Sequence, residues 1–280
     1  MVLVALLWST AGVATRYLEF ARSFEVTFWR SLFAALSLLL ILPCFQGRSV
    51  FLKIRHGRAA LWLSGVCWSV MFTSYMVAFT LTSVGNVLVT LALGPLLTAL
   101  VARVFIGYRV ASRTWLAILV AGAGIAYMFA SQVGSVSLAG SLVALSIPVA
   151  AAVNWTISQH SHDQGHDLDL VPAVLLGALL STLATCALAY PFQASVHDIT
   201  LLGLLGVFQL AIPCVLCMVC ARVLHAPEMS LLQLLEVIFG IALAWLGANE
   251  EPGLPVLVGG SLVIFALVAN EWLGWKLRAH

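Results

Sequence analysis

The chain has 280 residues, of which 62% are hydrophobic and only 9% charged, with a formal net charge of +2. A soluble domain is nearer half apolar and about a quarter charged, so this composition excludes a water-soluble globular protein and fits a polytopic membrane protein. A net charge so close to zero gives no electrostatic reason to expect a nucleic-acid partner.

Apolar stretches of the length needed to cross roughly 30 Å of hydrocarbon recur along the chain. They are continuous rather than alternating, which favours helices over barrel strands. In chain order the predicted spans are 2–17, 24–45, 59–81, 84–104, 114–130, 138–158, 170–192, 201–223, 226–246 and 256–273. The expected fold is therefore an all-α membrane protein with ten transmembrane helices. Span one has no basic leader and no clear small-residue cleavage site, so it reads as a retained helix rather than a signal peptide.

Span one carries Trp8 near its middle, where interfacial anchoring does not explain an indole. Span two carries Arg30 about two turns in. That guanidinium either meets a substrate carboxylate or, the favoured reading, snorkels to the surface or pairs with Glu25 or Glu19. Span three offers Trp68, Phe72 and Tyr75 at helical spacing, and span four places Asn86, Thr90 and Gly94 on one face just before Pro95. Gly122 and Gly124 in span five allow close helix approach. Span six contains Pro148, which with Pro95 is expected to interrupt its helix and free backbone carbonyls, and then Asn154, Trp155 and Ser158.

The linker 160–169 is rich in His and Asp, but polar residues are expected between spans, so a metal site there is the less favoured reading. Span eight offers Gln209, then Cys214, Cys217 and Cys220 along one helix. All six cysteines fall in apolar spans and read as small packing residues, with no disulfide framework implied. Glu236 lies mid-span in span nine, with Gln233 and Gly240 three and four residues away and Glu228 two turns earlier. A carboxylate at that depth costs roughly 2.5–3.5 kcal/mol on insertion scales, which makes it a functional-site candidate. It can exchange a proton, bind a cationic substrate group, or make a structural hydrogen bond or ion pair. Span ten contributes Gly259 and Gly260, and Trp272 and Trp275 read as an interfacial belt.

Neutral polar residues in lipid want partners, and ordinary packing satisfies many of them. Across spans one, three, four, six, eight and nine, however, Trp8, Trp68, Phe72, Tyr75, Asn86, Thr90, Asn154, Trp155, Gln209, Gln233 and Glu236 together suggest a polar, aromatic-lined cavity that binds substrate. Glu236 is also the candidate coupling residue. No nucleophile elbow, His-Glu metal motif or phosphate-cradling loop is present in the sequence, so an enzyme is not expected and neither is a cofactor.

With the amino terminus cytoplasmic, Arg48, Lys53, Arg55, Arg58, Arg103, Arg109, Arg113, Arg222, Lys276 and Arg278 fall inside and only Arg16, Arg22 and Arg30 outside. Ten spans then put both termini in the cytoplasm. The chain divides near Ser135 into five spans and five spans, which an odd count per half forces into opposite orientations. Residues 24–43 and 172–191 share length, small-residue spacing and a terminal proline, and Leu93–Leu96 occupies the place of Leu235–Ile238 in the second half. Inverted repeats are a signature of secondary transporters, with the site near the midplane where the repeats meet.

These features, with Leu6-Leu7-Trp8-Ser9, Arg16, Glu25 to Arg30, Leu234-Leu235-Glu236 and Asn249-Glu250, resemble the EamA type of the drug/metabolite transporter superfamily. Val237 and Tyr108 depart from its pattern, where proline and an acidic residue are usual. The resemblance implies two EamA-like repeats, 1–135 and 136–280. It also implies a secondary active transporter of a small organic metabolite, amino acid or drug-like compound in a bacterial cytoplasmic (inner) membrane. Export is the expected direction, with protons as a coupling partner and a monomer or weak homodimer as the assembly. The alternatives are an intramembrane enzyme and a non-transporting scaffold or sensor.

Overall fold

The computed structural model describes residues 1–14, 17–21, 23–47, 50–51, 54, 59–82, 84–130, 138–163, 169–248 and 253–278. Among them the chain is helical, with no strand. In order the helices are α1 (Val2–Ala14), α2 (Ser23–Gln46), α3 (Ala59–Leu81), α4 (Val84–Leu91), α5 (Gly94–Ile106), α6 (Ser112–Phe129), α7 (Leu138–Asp163), α8 (Pro172–Ala189), α9 (Val196–Leu204), a π-helical stretch Leu205–Ala211, α10 (Ile212–Cys220), α11 (Ala226–Gln233), α12 (Leu235–Ala248) and α13 (Leu254–Arg278). Eight helical units are long and apolar enough to span a bilayer, and Val2–Ala11 and Ser112–Met128 are shorter apolar helices.

Spans four and nine are each built from two helices end to end. At the first break Leu93 N–H donates to the Thr90 carbonyl at 3.1 Å, a tightened turn, and Pro95 enters α5 at its first turn where its missing N–H does no harm. At the second, Leu234 N–H donates to Leu231 and Val237 N–H to Leu234, both at 3.1 Å, with no proline at the point itself. The two breaks fall at matching places in the two halves. Pro148 behaves differently from the sequence expectation: α7 runs through it without interruption, because its neighbours α3 and α5 hold the helix on both sides.

Helices pack mainly across the two halves. The α6 helix lies against α13, α2 against α8, α3 against α7 and α8, α5 against α7 and α11, and α1 against α10 and α12. Glycines set the closest of these approaches. A Cβ at Gly177 would lie 2.3 Å from the Trp68 Cβ, and one at Gly206 would lie 2.6 Å from the Arg30 carbonyl oxygen. Gly124 and Gly259 face each other backbone to backbone, whereas Gly122 meets nothing within 4 Å and Gly260 meets only Ile238 at an ordinary 3.6 Å. Of the pairs singled out in the sequence, one member each makes the seam. Hydroxyls tie α2, α3 and α8 together, with Ser31 donating to Ser181 at 3.1 Å and Thr73 hydrogen-bonded to Ser181 at 2.9 Å.

Candidate functional site

Among the described residues, the candidate polar and aromatic side chains within the apolar spans form two main groups. The first forms where the interruptions lie. Trp8 comes from α1, Arg30 from α2, Tyr75 from α3, Gln209 from the π-helical stretch, Cys214 from α10 and Glu236 from the second position of α12. Tyr75 Oη donates to Glu236 Oε1 at 3.4 Å. Arg30 Nη2 donates to the Phe72 carbonyl at 3.4 Å, one turn before Tyr75 on the same helix, so cation and carboxylate reach one turn of α3 from different sides. Tyr75, Cys214 and Glu236 are the electrostatic neighbours of Arg30. Gln209 Nε2 donates to the Trp8 carbonyl at 3.3 Å.

Local helix geometry explains the placement. A π turn widens the helix by one residue and rotates the residues after it, a distortion common at functional sites; here it carries Gln209 inward. The break at Leu234 starts a new helix two residues before Glu236. Gln233 therefore ends one helix and Glu236 opens the next, and the single continuous face expected for Gln233, Glu236 and Gly240 is divided at that point. Glu236 and Tyr75 are half-buried, although both reach toward other helices. Arg30 is only 2% exposed, its Nε has no partner, and the buried Gln209 Oε1 has none either.

Arg30 is the residue the sequence placed least well. It neither snorkels nor pairs with Glu25, because the Glu25 carboxylate is occupied by the Gln193 and Ala194 N–H groups at 2.8–3.0 Å and by the Trp29 indole at 3.3 Å. The Glu19 side chain is exposed, and its own N–H is held by Asp198 at 2.9 Å. A charge two turns inside an apolar span was the available signal, since ionisable groups at that depth turn inward by default.

The second group lies in the seam of α3, α7 and α8. Trp68 packs edge-on to Trp155 at 5.6 Å and is tilted against Phe72 at 5.4 Å, and Ser64 donates to Asn154 Oδ1 at 2.6 Å. Trp68, Phe72, Asn154 and Trp155 are all buried. Phe72 is hydrogen-bonded to the first group through its carbonyl, and Trp68, Phe72 and Trp155 share one buried apolar cluster with Trp8 and Cys214. Gln233 and Thr90 are half-buried at the ends of α11 and α4, the helices that precede the two breaks, and the Asn86 side chain lies outside the described residues. Ser158 is buried in α7, while Glu228 makes a capping box with His225 at the start of α11.

Among the described residues no group of three His, Cys, Asp or Glu has metal-site geometry; residues 164–168 of the His/Asp linker lie outside them, as do Arg16, Asn249, Glu250 and the boundary near Ser135. Gly94, at the first break, packs against Ser230 of α11 and Pro148 of α7, so the interruption in the first half abuts the helix preceding the interruption in the second.

A search of the curated proteins gives no match. A crystal structure of another protein superposes with a TM-score of 0.76, covering 98% of this chain and 96% of that one at 16% identity, a level at which the likeness shows the fold alone. The sequence model of the EamA-like transporter family matches twice, over residues 1–130 and 138–270, and so covers both halves around the paired breaks. The chain is an integral, multi-pass membrane protein and belongs to the EamA-like transporter family.

Proposed function

We propose that this protein is a secondary transporter that moves a small organic metabolite, amino acid or drug-like compound across the bilayer by alternating access, in the direction of export. The observation that carries the reading is the meeting of Arg30 and Glu236, from opposite halves, on one turn of α3. An arginine and a carboxylate in a bilayer interior are expensive and are retained where they line a pathway. Discontinuous helices at the interface of two repeats are the usual setting of a transporter site, because a broken helix presents polar backbone that continuous helices hide.

Trp8, Tyr75, Gln209 and Glu236 form the centre of the proposed site, to which Arg30 is added; Thr90 and Gln233 flank it on the interrupted spans, where Asn86 also belongs. Trp68, Phe72, Asn154 and Trp155 line its α3–α7 wall and pack it. Glu236 is the proposed proton carrier, since it is the one carboxylate of this cluster and the other charge is an arginine that does not release its proton. Alternating access needs only a site with usable affinity in two conformations, and two pseudo-symmetric packings supply states of similar energy.

Solute counterflow in proteoliposomes tests the reading. Vesicles loaded with a mixture of amino acids, amines and small organic acids should take up a labelled tracer of a transported member faster than protein-free vesicles. Uptake indistinguishable from protein-free vesicles for every tracer in the mixture would remove the transport assignment.

A further inference from the structure

Two carboxylates at one end of the bundle are completely buried and are spent on the backbone of the opposite repeat. Asp198, in the first turn of α9, accepts from the N–H groups of Glu19, Phe20 and Ala21 at 2.9, 3.0 and 3.1 Å, and so holds the α1–α2 loop. Glu25, in the first turn of α2, accepts from the N–H groups of Gln193 and Ala194 at 2.8–3.0 Å, and so holds the α8–α9 loop. Both residues are 0% exposed. The first half therefore grips a loop of the second, and the second grips a loop of the first.

We infer that Asp198 and Glu25 form a reciprocal latch that closes the pathway at this end and must release for the central site to open there. The inference rests on the transport reading, and adds to it the element that gates one side. Three observations support a gate rather than a local cap. The bonds cross between the repeats, which is the boundary alternating access must part. Arg30 lies five residues from Glu25 on α2, roughly 7.5 Å at the rise of an α-helix, so the latch and the site share one helix within about one and a half turns. All of the loop partners are backbone N–H groups that water can satisfy as well, which makes the contact reversible without stranding a side chain.

At the opposite end, among the described residues, Thr114 Oγ1 of α6 donates to Asn270 Oδ1 of α13 across the halves at 3.1 Å. Arg222 pairs with Asp169 at 2.8 Å, but the arginine side chain is 52% exposed, and both residues belong to the second half. Across the halves Tyr108 stacks on His225 at 5.0 Å.

Amide hydrogen exchange of the full chain in lipid nanodiscs, read by mass spectrometry, tests the latch without any substrate. A gate opens as one unit, so Asp198→Ala, which also removes the acceptor of the Ser195 N–H beside 193–194, should speed exchange about tenfold or more at residues 19–21 and at 193–194, and the deciding reading is the reverse one at 19–21. Glu25→Gln should do the same in reverse, with α13 exchange unchanged. Where either variant loses protection throughout, Asp198→Asn, which keeps one acceptor oxygen, should give the same coupled pattern at smaller amplitude. Faster exchange confined to the loop whose own carboxylate was altered, or no change at either loop, would overturn the latch. Counterflow is measured separately, so a local-only pattern in a chain that still transports sinks the latch and spares the transport reading.

Discussion

At the scale of single residues, the central question is how an arginine and a glutamate are stabilised where water is scarce. Among the described residues no ion pair within 4.0 Å joins Arg30 to Glu236. Instead they share one turn of α3, Arg30 on the Phe72 carbonyl and Glu236 on the Tyr75 hydroxyl. Removing either charge leaves the other with less compensation in a low-dielectric interior. Arg30→Gln and Glu236→Gln should each lower the melting temperature in detergent, and the double variant should be more stable than the sum of the two losses. Strict additivity in thermal scans would show the two charges to be independent. A second residue-scale expectation concerns Tyr75→Phe, which removes the one hydrogen-bond donor that reaches Glu236 and should weaken coupling while leaving the fold intact, as read by proton-driven uptake against size-exclusion profiles.

At the scale of elements, packing is decided by whether a Cβ has room. Gly124→Ala forces its new methyl to within 2.7 Å of the Gly259 carbonyl oxygen, whereas Gly122→Ala meets nothing within 4 Å. The first should destabilise the α6–α13 seam by about 1–3 kcal/mol, and the second should be nearly neutral, gaining at most the helix preference of alanine. Equal thermal shifts for the two variants would contradict the seam. The sequence made this pair look equivalent, because small-residue spacing shows which glycines are available but not which one a neighbouring backbone approaches. Proline was similarly ambiguous. Pro95 stands in the first turn of a new helix and Pro148 inside a continuous one, although both are buried. The break at Leu234 has no proline or glycine of its own, so only its pseudo-symmetry with the first break signals it.

At the scale of the whole molecule, the membrane class, the helical fold and the repeat could be read directly, since hydropathy and span length report them without tertiary detail. The family match over 1–130 and 138–270 agrees with that reading. The cluster proposed as the site was legible in part. Glu236 announces itself as an unneeded charge in an apolar run, and Tyr75 and Gln209 by polarity at depth. The buried roles of Glu25 and Asp198 were not legible, because their partners are backbone groups of loops more than a hundred residues away, whereas the partner of Arg30 is a helix carbonyl 42 residues on. The proposed cytoplasmic location of both termini rests on the distribution of basic residues, and reporter fusions to each end should both give the cytoplasmic signal.

The most direct measurement of the central claim is proton-driven flux in proteoliposomes, comparing wild type with Glu236→Gln under an imposed pH gradient. If the Arg30–Tyr75–Glu236 cluster is the transport site and Glu236 the coupling group, the wild type accumulates or extrudes solute in response to the gradient, while the variant still exchanges solute but ignores the gradient. A variant that responds to the gradient as the wild type does would place the coupling elsewhere and remove the cluster from the mechanism.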